Sequence, residues 1–311
     1  MNPTQVSQQQ SSSLTSTPDA PPSPRILSKN HKMSIPRRVV AVIGSGGMGI
    51  ASARRLAGGR RVLFADYSQS NLDMAAKSLR DDGHDVETHL IDVASFESVQ
   101  NFATTAASAG HIDAVVHTAG LSPAMAPARR IFEVDLLGTA NVIDAFQEVI
   151  PPGASLTCIA SIARFGASPS PALSAHLATA PREQLLTTKE LLDVDASDPA
   201  AAYSISKCAN HLRVQAAARA WAAKGARINT ISPGVILTAM VRQELESPHG
   251  ATIRGMIESM PMQRGGTADE IASTVAFLSS QEASYITGSD ILVDGGFIAG
   301  SQGLLAANKE A

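Results

Sequence analysis

From Arg38 onward the chain alternates short Val/Ile/Leu runs with longer, Ala-rich stretches of helical period. No other feature constrains the fold as much. Arg38–Gly44, Arg61–Asp66, a run ending at His89–Asp92, Ile112–Thr118, Ala154–Ser161, Arg227–Ser232 and Asp290–Val293 read as seven strands. Met48–Ala57, Asn71–Asp81, Ala128–Val149, Ala201–Ala223 and Thr267–Ser279 read as helices. Strands that are apolar on both sides need cover on both faces, which a parallel sheet with helical crossovers provides. Right-handed crossovers then give an α/β fold, a single doubly wound parallel sheet.

Composition narrows the function classes. A hydrophobic fraction of 44% allows a buried core and argues against a disordered chain. Lys plus Arg number 25 against 28 Asp plus Glu, a formal charge of −3. Such a balance offers no basic footprint for nucleic acid or an anionic membrane. No apolar run approaches the roughly 18 residues of a spanning helix. Cys158 and Cys208 are the only cysteines, too few for a disulfide framework or a cysteine-rich zinc site. A reducing, cytoplasmic setting follows, with no metal expected.

The first 36 residues differ from the rest. They hold 6 of the 17 prolines, 8 serines and the run Gln8–Gln10, without apolar periodicity. The expectation is a disordered tail at 1–36 followed by one domain at 37–311. An organellar targeting peptide is the weaker reading, since Arg25 is the tail's one arginine before Arg37. Met33 lies just before the first strand and is an alternative start.

Two groups of residues carry chemistry. Gly44-Ser45-Gly46-Gly47-Met48-Gly49 fits G-x-G-x-x-G directly after a strand and opening a helix. Glycines allow a tight turn, and the helix N-terminus presents free N–H groups to a pyrophosphate. Asp66 follows Gly44 by 22 residues, at the end of the next strand. That spacing suits a carboxylate accepting from ribose hydroxyls and repelling a 2′-phosphate. No Arg or Lys lies within Phe64–Ser68, so NAD is expected over NADP. Asp66 as a plain turn residue is the competing reading. Asp92-Val93 stands where an adenine can be reached, although a solvated strand end explains it equally well. Thr118-Ala119-Gly120 supplies small residues for a close approach of the dinucleotide.

Tyr203 and Lys207 sit at i and i+4 on one helix face. A nearby cation favours the phenolate form of a tyrosine, which otherwise titrates near 10. Ser161 closes the fifth strand, where its hydroxyl can hold a substrate oxygen.

In that order of motifs the chain resembles the short-chain dehydrogenase/reductase family, over about Arg38 to Phe297. Pro233-Gly234-Val235-Ile236-Leu237-Thr238 is similar to the family's Pro-Gly-x-x-x-Thr, and Val293-Asp294-Gly295-Gly296 to its C-terminal signature. The resemblance implies a Rossmann-type sheet of about seven strands in the order 3-2-1-4-5-6-7, and hydride transfer between a nicotinamide and a ketone or alcohol. It implies Tyr203 as general acid/base, Lys207 as its partner and ribose ligand, and Ser161 as orienter of the carbonyl. Pro233, Gly234, Val235 and Thr238 would line the nicotinamide, and a homodimer or homotetramer would be usual.

Three departures qualify the resemblance. The glycines are spaced unlike Thr-Gly-x-x-x-Gly-x-Gly, His117-Thr118 replaces the first two residues of Asn-Asn-Ala-Gly, and Asp135 replaces the family's catalytic asparagine. His117 reads as a structural group. Asp135 adds a negative charge near Lys207, which would weaken the lysine's effect on Tyr203 and raise the pH optimum for oxidation.

Ser161 and Tyr203 are 42 residues apart, where the family has about a dozen. The extra chain, about 167–199, is either a wall of the substrate pocket or a surface and interface elaboration. A second segment, Thr238–Arg264, carries Met240, Met256, Met260 and Met262. It is either a mobile apolar lid or ordinary helix packing. The expected substrate is a small, apolar ketone or alcohol. The rival readings are a nucleotide-binding regulatory or scaffold protein without turnover, and a lyase or epimerase using the same tyrosine.

Overall fold

The structure, a computed structural model, describes residues 37–194, 198–246 and 250–301. The tail expected at 1–36 lies outside the described residues. Seven parallel strands, β1 (Arg38–Ile43), β2 (Arg61–Asp66), β3 (Asp85–Leu90), β4 (His111–His117), β5 (Ser155–Ile159), β6 (Arg227–Pro233) and β7 (Asp290–Val293), form one sheet in the order 3-2-1-4-5-6-7. The order places the C-terminal ends of β1 and β4 side by side. Thr118 and Ala119 N–H groups both donate to the Ile43 carbonyl there. This is where an open α/β sheet forms its ligand crevice.

Both sheet faces are dry. Val39, Ala41 and Ile43 point to one face and pack with Val99, Phe102, Phe146, Val214 and Trp221. Val40 and Val42 point to the other and pack with Leu56, Leu79, Ile271 and Val275. The covering helices are α1 (Gly47–Leu56), α2 (Gln69–Asp81), α3 (Phe96–Ala109), α4 (Ala128–Ile131), α5 (Gly138–Val149), α6 (Pro171–Thr179), α7 (Arg182–Leu185), α8 (Lys189–Leu192), α9 (Pro199–Ala223), α10 (Ala239–Leu245), α11 (Gly250–Ser259) and α12 (Ala268–Ser279). Several start on a side-chain cap. Asp198 accepts the Ala201 N–H ahead of Pro199, and Thr267 with Glu270 forms a reciprocal capping box.

Four elements depart from the sequence expectation. The third strand spans Asp85–Leu90, so Asp92 sits beyond its end rather than within it. Helix α3 was not among the expected helices. The stretch Ala128–Val149 is not one α-helix, because a π-helical turn at Phe132–Leu137 separates α4 from α5. The segment 238–264 contains the helices α10 and α11. Among the described residues no helix is long and apolar enough to cross a membrane.

The chain between Ser161 and Tyr203 folds as α6, α7 and α8 against the π-turn, α5 and α9. Leu173, Leu177, Leu185, Leu186 and Leu191 are buried against Ile131, Phe132, Leu136, Ala140, Ala202 and Ala209. Polar contacts hold it in register. Arg213 of α9 donates to the Leu177 and Ala180 carbonyls at the end of α6. Arg182 lies 3.5 Å from the centre of the Phe96 ring and pairs with Asp144.

Candidate active site

The glycine turn is shaped by close packing on one side and by open space on the other. Gly44 has φ +104°, and a Cβ there would lie 2.5 Å from the Ala119 nitrogen. A Cβ at Gly49 would lie 1.9 Å from the Gly44 carbonyl oxygen. Only glycine fits either place. Thr118 locks the turn, its hydroxyl donating to the Gly44 carbonyl at 3.0 Å. Gly47 packs on the Thr238 methyl, 3.1 Å from its would-be Cβ. A Cβ at Gly46, by contrast, would meet nothing within 4 Å. Gly46 is the N-cap of α1 and offers no side-chain acceptor, so the first N–H groups of that helix face the opening. Room, free donors and a helix dipole together fit a pyrophosphate.

Asp66 is already engaged. Its Oδ2 accepts from the Ser45 N–H at 2.6 Å and the Ser45 hydroxyl at 2.7 Å. Its Oδ1 accepts from the Ser68 N–H at 2.8 Å. A carboxylate offers about four lone-pair positions, so one remains, on Oδ1. Asp66 therefore holds the turn and also borders the cleft. Asp92 accepts from the Ala94 N–H and stands 3.6 Å from Arg130. Val93 gives its carbonyl to Asn141. Gly44, Gly46, Asp66, Asp92, Val93, Thr118, Ala119 and Gly120 all border one cavity of about 460 Å³. Ser45 stands behind Asp66 and does not border it.

A second cavity, of about 210 Å³, adjoins the glycine turn through Met48, Thr118 and Gly120. Ser161, Tyr203 and Lys207 line it together, with Pro233, Gly234 and Thr238 on the far wall. Val235 is buried just behind, its carbonyl accepting from Gly266. The 3-10 turn after β5 presents Ser161, whose Oγ accepts the Ala163 N–H at 3.1 Å. Arg164 braces that turn against β7, with Nη2 2.9 Å from the buried Asp290 carboxylate. Asp290 also accepts from Thr230 and Ser232 on β6.

Lys207 is buried, with Nζ 5.2 Å from the centre of the Tyr203 ring. Its other neighbour is Asp135, a fully buried carboxylate in a 2.9 Å ion pair with Nζ. Burial pulls the Lys207 pKa down, but Asp135 and Tyr203 outweigh it and hold the ammonium above its usual range. The π-turn explains how Asp135 arrives there. The Gly138 N–H reaches back five residues to Glu133, and Asp135 turns inward. Its Oδ1 accepts the Leu121 N–H at 2.8 Å, and its carbonyl accepts the Thr139 hydroxyl at 2.8 Å. Because Thr139 donates there, it accepts from His117 at 3.1 Å, which places the proton of His117 on Nε2. Burial, with Lys207 nearby, pushes the His117 pKa down to about 3, so the imidazole is neutral. Burial likewise pushes the Cys158 thiol up to about 12.

The structure thus brings Ser161, Tyr203, Lys207 and Asp135 to one place, beside the glycine turn. It also adds Thr139, Leu121 and Arg130, which sequence reasoning missed. Only Thr139, four residues after Asp135, carried a readable signal. None of the described residues of the segment 167–199 borders this cavity. Ser168, Ser170, Leu173 and Glu190 of that segment border a different hollow of about 540 Å³, beside Ser204 on α9. Of the four methionines in 238–264, only Met240 borders the cofactor cleft or the Tyr203 cavity. Met260 is buried and, with Met262, lines a separate hollow near Gly295.

Known proteins share this arrangement of chain. A family model described as enoyl-(acyl carrier protein) reductase matches residues 42–185 and 173–298, the two stretches meeting in α6 and α7. A short-chain dehydrogenase/reductase of Alternaria brassicicola is 38% identical over 263 residues, 84% of this chain and 95% of that protein. The cis-4-hydroxycyclohexanecarboxylate dehydrogenase of Sinomonas cyclohexanicum is 29% identical over 265 residues, 84% of this chain and 97% of that protein. A crystal structure of a glucose/ribitol dehydrogenase from Brucella melitensis superposes with a TM-score of 0.66 at 25% identity, covering 84% of this chain and 96% of that one. With the family model and a 38% identical relative both spanning the sheet and the cavity, this chain belongs to the short-chain dehydrogenase/reductase family.

Proposed function

We propose that this oxidoreductase is an NAD-dependent alcohol dehydrogenase or ketoreductase with Tyr203 as its general acid/base. The buried Lys207 ammonium beside the Tyr203 ring, with Ser161 on the same wall, carries the reading. When bound, the nicotinamide supplies a hydride to a carbonyl carbon or accepts one from an alcohol carbon. The chain's own task is the proton. Tyr203 gives its phenolic proton to the carbonyl oxygen in reduction and takes it from the alcohol in oxidation. Lys207 stabilises the phenolate left behind. Ser161, oriented by the Ala163 N–H, donates its O–H to the substrate oxygen. Gly46 and the first N–H groups of α1 hold the pyrophosphate, and Thr238 closes over Gly47 beside it.

Asp66 supports NAD over NADP. Its remaining lone pair on Oδ1 takes one ribose hydroxyl, and its charge opposes a 2′-phosphate. Leu121, Pro123, Ile159, Ile236, Met240 and Val241 make the catalytic cavity largely apolar, which supports a small apolar ketone or alcohol. One relative is named for a ring-borne secondary alcohol, there carried on a carboxylate. We also read 37–311 as one domain in which 167–199 is an elaboration. Any homodimer or homotetramer would pair through faces other than the one α6–α8 cover.

A panel of ketones and alcohols, followed by reduced-nicotinamide absorbance, tests the reading. Tyr203→Phe is expected to lower turnover by about 10²–10⁴-fold while cofactor binding persists. Turnover retained in that variant would remove Tyr203 from the chemistry.

A further inference from the structure

We propose that Arg130 is a planar clamp for the adenine of the cofactor, and so sets affinity for NAD and NADP alike. The proposal rests on the dinucleotide reading of the cleft. With pyrophosphate at Gly46 and ribose at Asp66, the adenine lies in the part of the cavity beyond Asp66. Tyr67, Ile91, Asp92, Val93 and Arg130 border that part. Among the described residues Arg130 is its one cationic wall, brought there from 64 residues beyond Asp66 in the chain.

The guanidinium is held by its edges. Nη1 lies 3.3 Å from Glu133 and Nη2 3.6 Å from Asp92. A guanidinium donates in its plane and stacks through its faces. With two carboxylates on its N–H edge, Arg130 is poorly placed to seize a 2′-phosphate. Both carboxylates meet it through its N–H groups, not through its face. Cζ lies 5.9 Å from the centre of the Tyr67 ring, which is 70% exposed at the mouth of the cleft. In this proposal a purine entering there stacks on Arg130 beside Tyr67, in the part of the cavity that Val93 also borders. Face contact between a guanidinium and a base needs no particular hydrogen-bond pattern.

Calorimetric titration of ADP-ribose, NAD and NADP into the parent, Arg130→Ala and Arg130→Lys proteins tests the idea without any turnover. All three ligands are expected to bind about tenfold more weakly to Arg130→Ala. Arg130→Lys should recover little, since it keeps the charge and loses the plane. Circular dichroism melts would verify that both variants fold. Unchanged affinity in Arg130→Ala overturns the proposal, as does a loss confined to NADP or full recovery by Lys. Failure of the parent to bind ADP-ribose would instead sink the dinucleotide reading itself.

Discussion

Asp135 is the residue at which this chain departs most from its family's pattern. The carboxylate meets Lys207 directly at 2.9 Å, within a pair that is almost wholly buried. In the proposed mechanism it adds negative charge where Tyr203 would hold a phenolate. Asp135→Asn removes that charge while keeping an acceptor for the Leu121 N–H. The pH–rate profile for alcohol oxidation should then shift to lower pH; superimposable parent and variant curves would remove the role. The position of Asp135 was legible in the sequence because it follows Val134 and precedes Leu136-Leu137-Gly138 in a recognisable frame. Its nearness to Lys207 was legible too, but not its second partner: Leu121 contributes a backbone N–H, which no side-chain pattern reveals.

At the scale of elements, the strands were easier to read than the helices. Unbroken apolar runs mark buried parallel strands; β3, with the mixed sequence DVETHL, is the exception and lies earlier than expected. The π-turn at Phe132–Leu137 was hidden, because inserting one residue into a helical turn barely disturbs an apolar stripe. Helix α3 was overlooked although its buried residues, Val99, Phe102, Ala103 and Ala106, follow the i, i+3, i+4, i+7 spacing of an amphipathic helix behind the cap Ser95. The segment 167–199 showed its turn formers and its amphipathic run, but not its destination. Burial of five leucines made that clear, since a periodic stripe says that a helix packs, not against what. Leu177 is fully buried in this cluster and borders neither catalytic cavity. Leu177→Ala is expected to lower stability by about 2–5 kcal/mol with kcat nearly unchanged. Chemical denaturation alongside steady-state rates checks this, and a collapse of kcat at intact fold would tie the segment to catalysis.

Across the whole molecule, the sheet order followed from the connection rules and from the resemblance together. The crevice where β1 and β4 diverge follows from that order. Stability adds a property that no motif announces. His117 is neutral and buried, with a pKa near 3 against the usual value of about 6.5. Between those values the unfolded chain binds a proton that the folded chain refuses. Stability therefore falls as pH drops from about 6.5 towards 3, by at most about 1.4 kcal/mol per pH unit from this group. Above 6.5 both states are unprotonated and the effect vanishes. Melting temperatures from pH 7 to 4 should decline less steeply in His117→Asn, and parallel declines would refute the assignment.

The path of the chain from Ser161 to Tyr203 has one further consequence. Ser161 and Tyr203 are joined only through α6, α7 and α8, and these helices dock on the same α9 that carries Tyr203 and Lys207. In a chain joined by a short loop, the two polar groups would meet as soon as β5 and α9 did. Here the leucine cluster has to close over α9 first, and Arg213 has to cap α6. Burial of that face therefore helps to fix the helix that carries Tyr203 and Lys207. A partly folded chain would expose its stickiest surface and hold that helix less firmly.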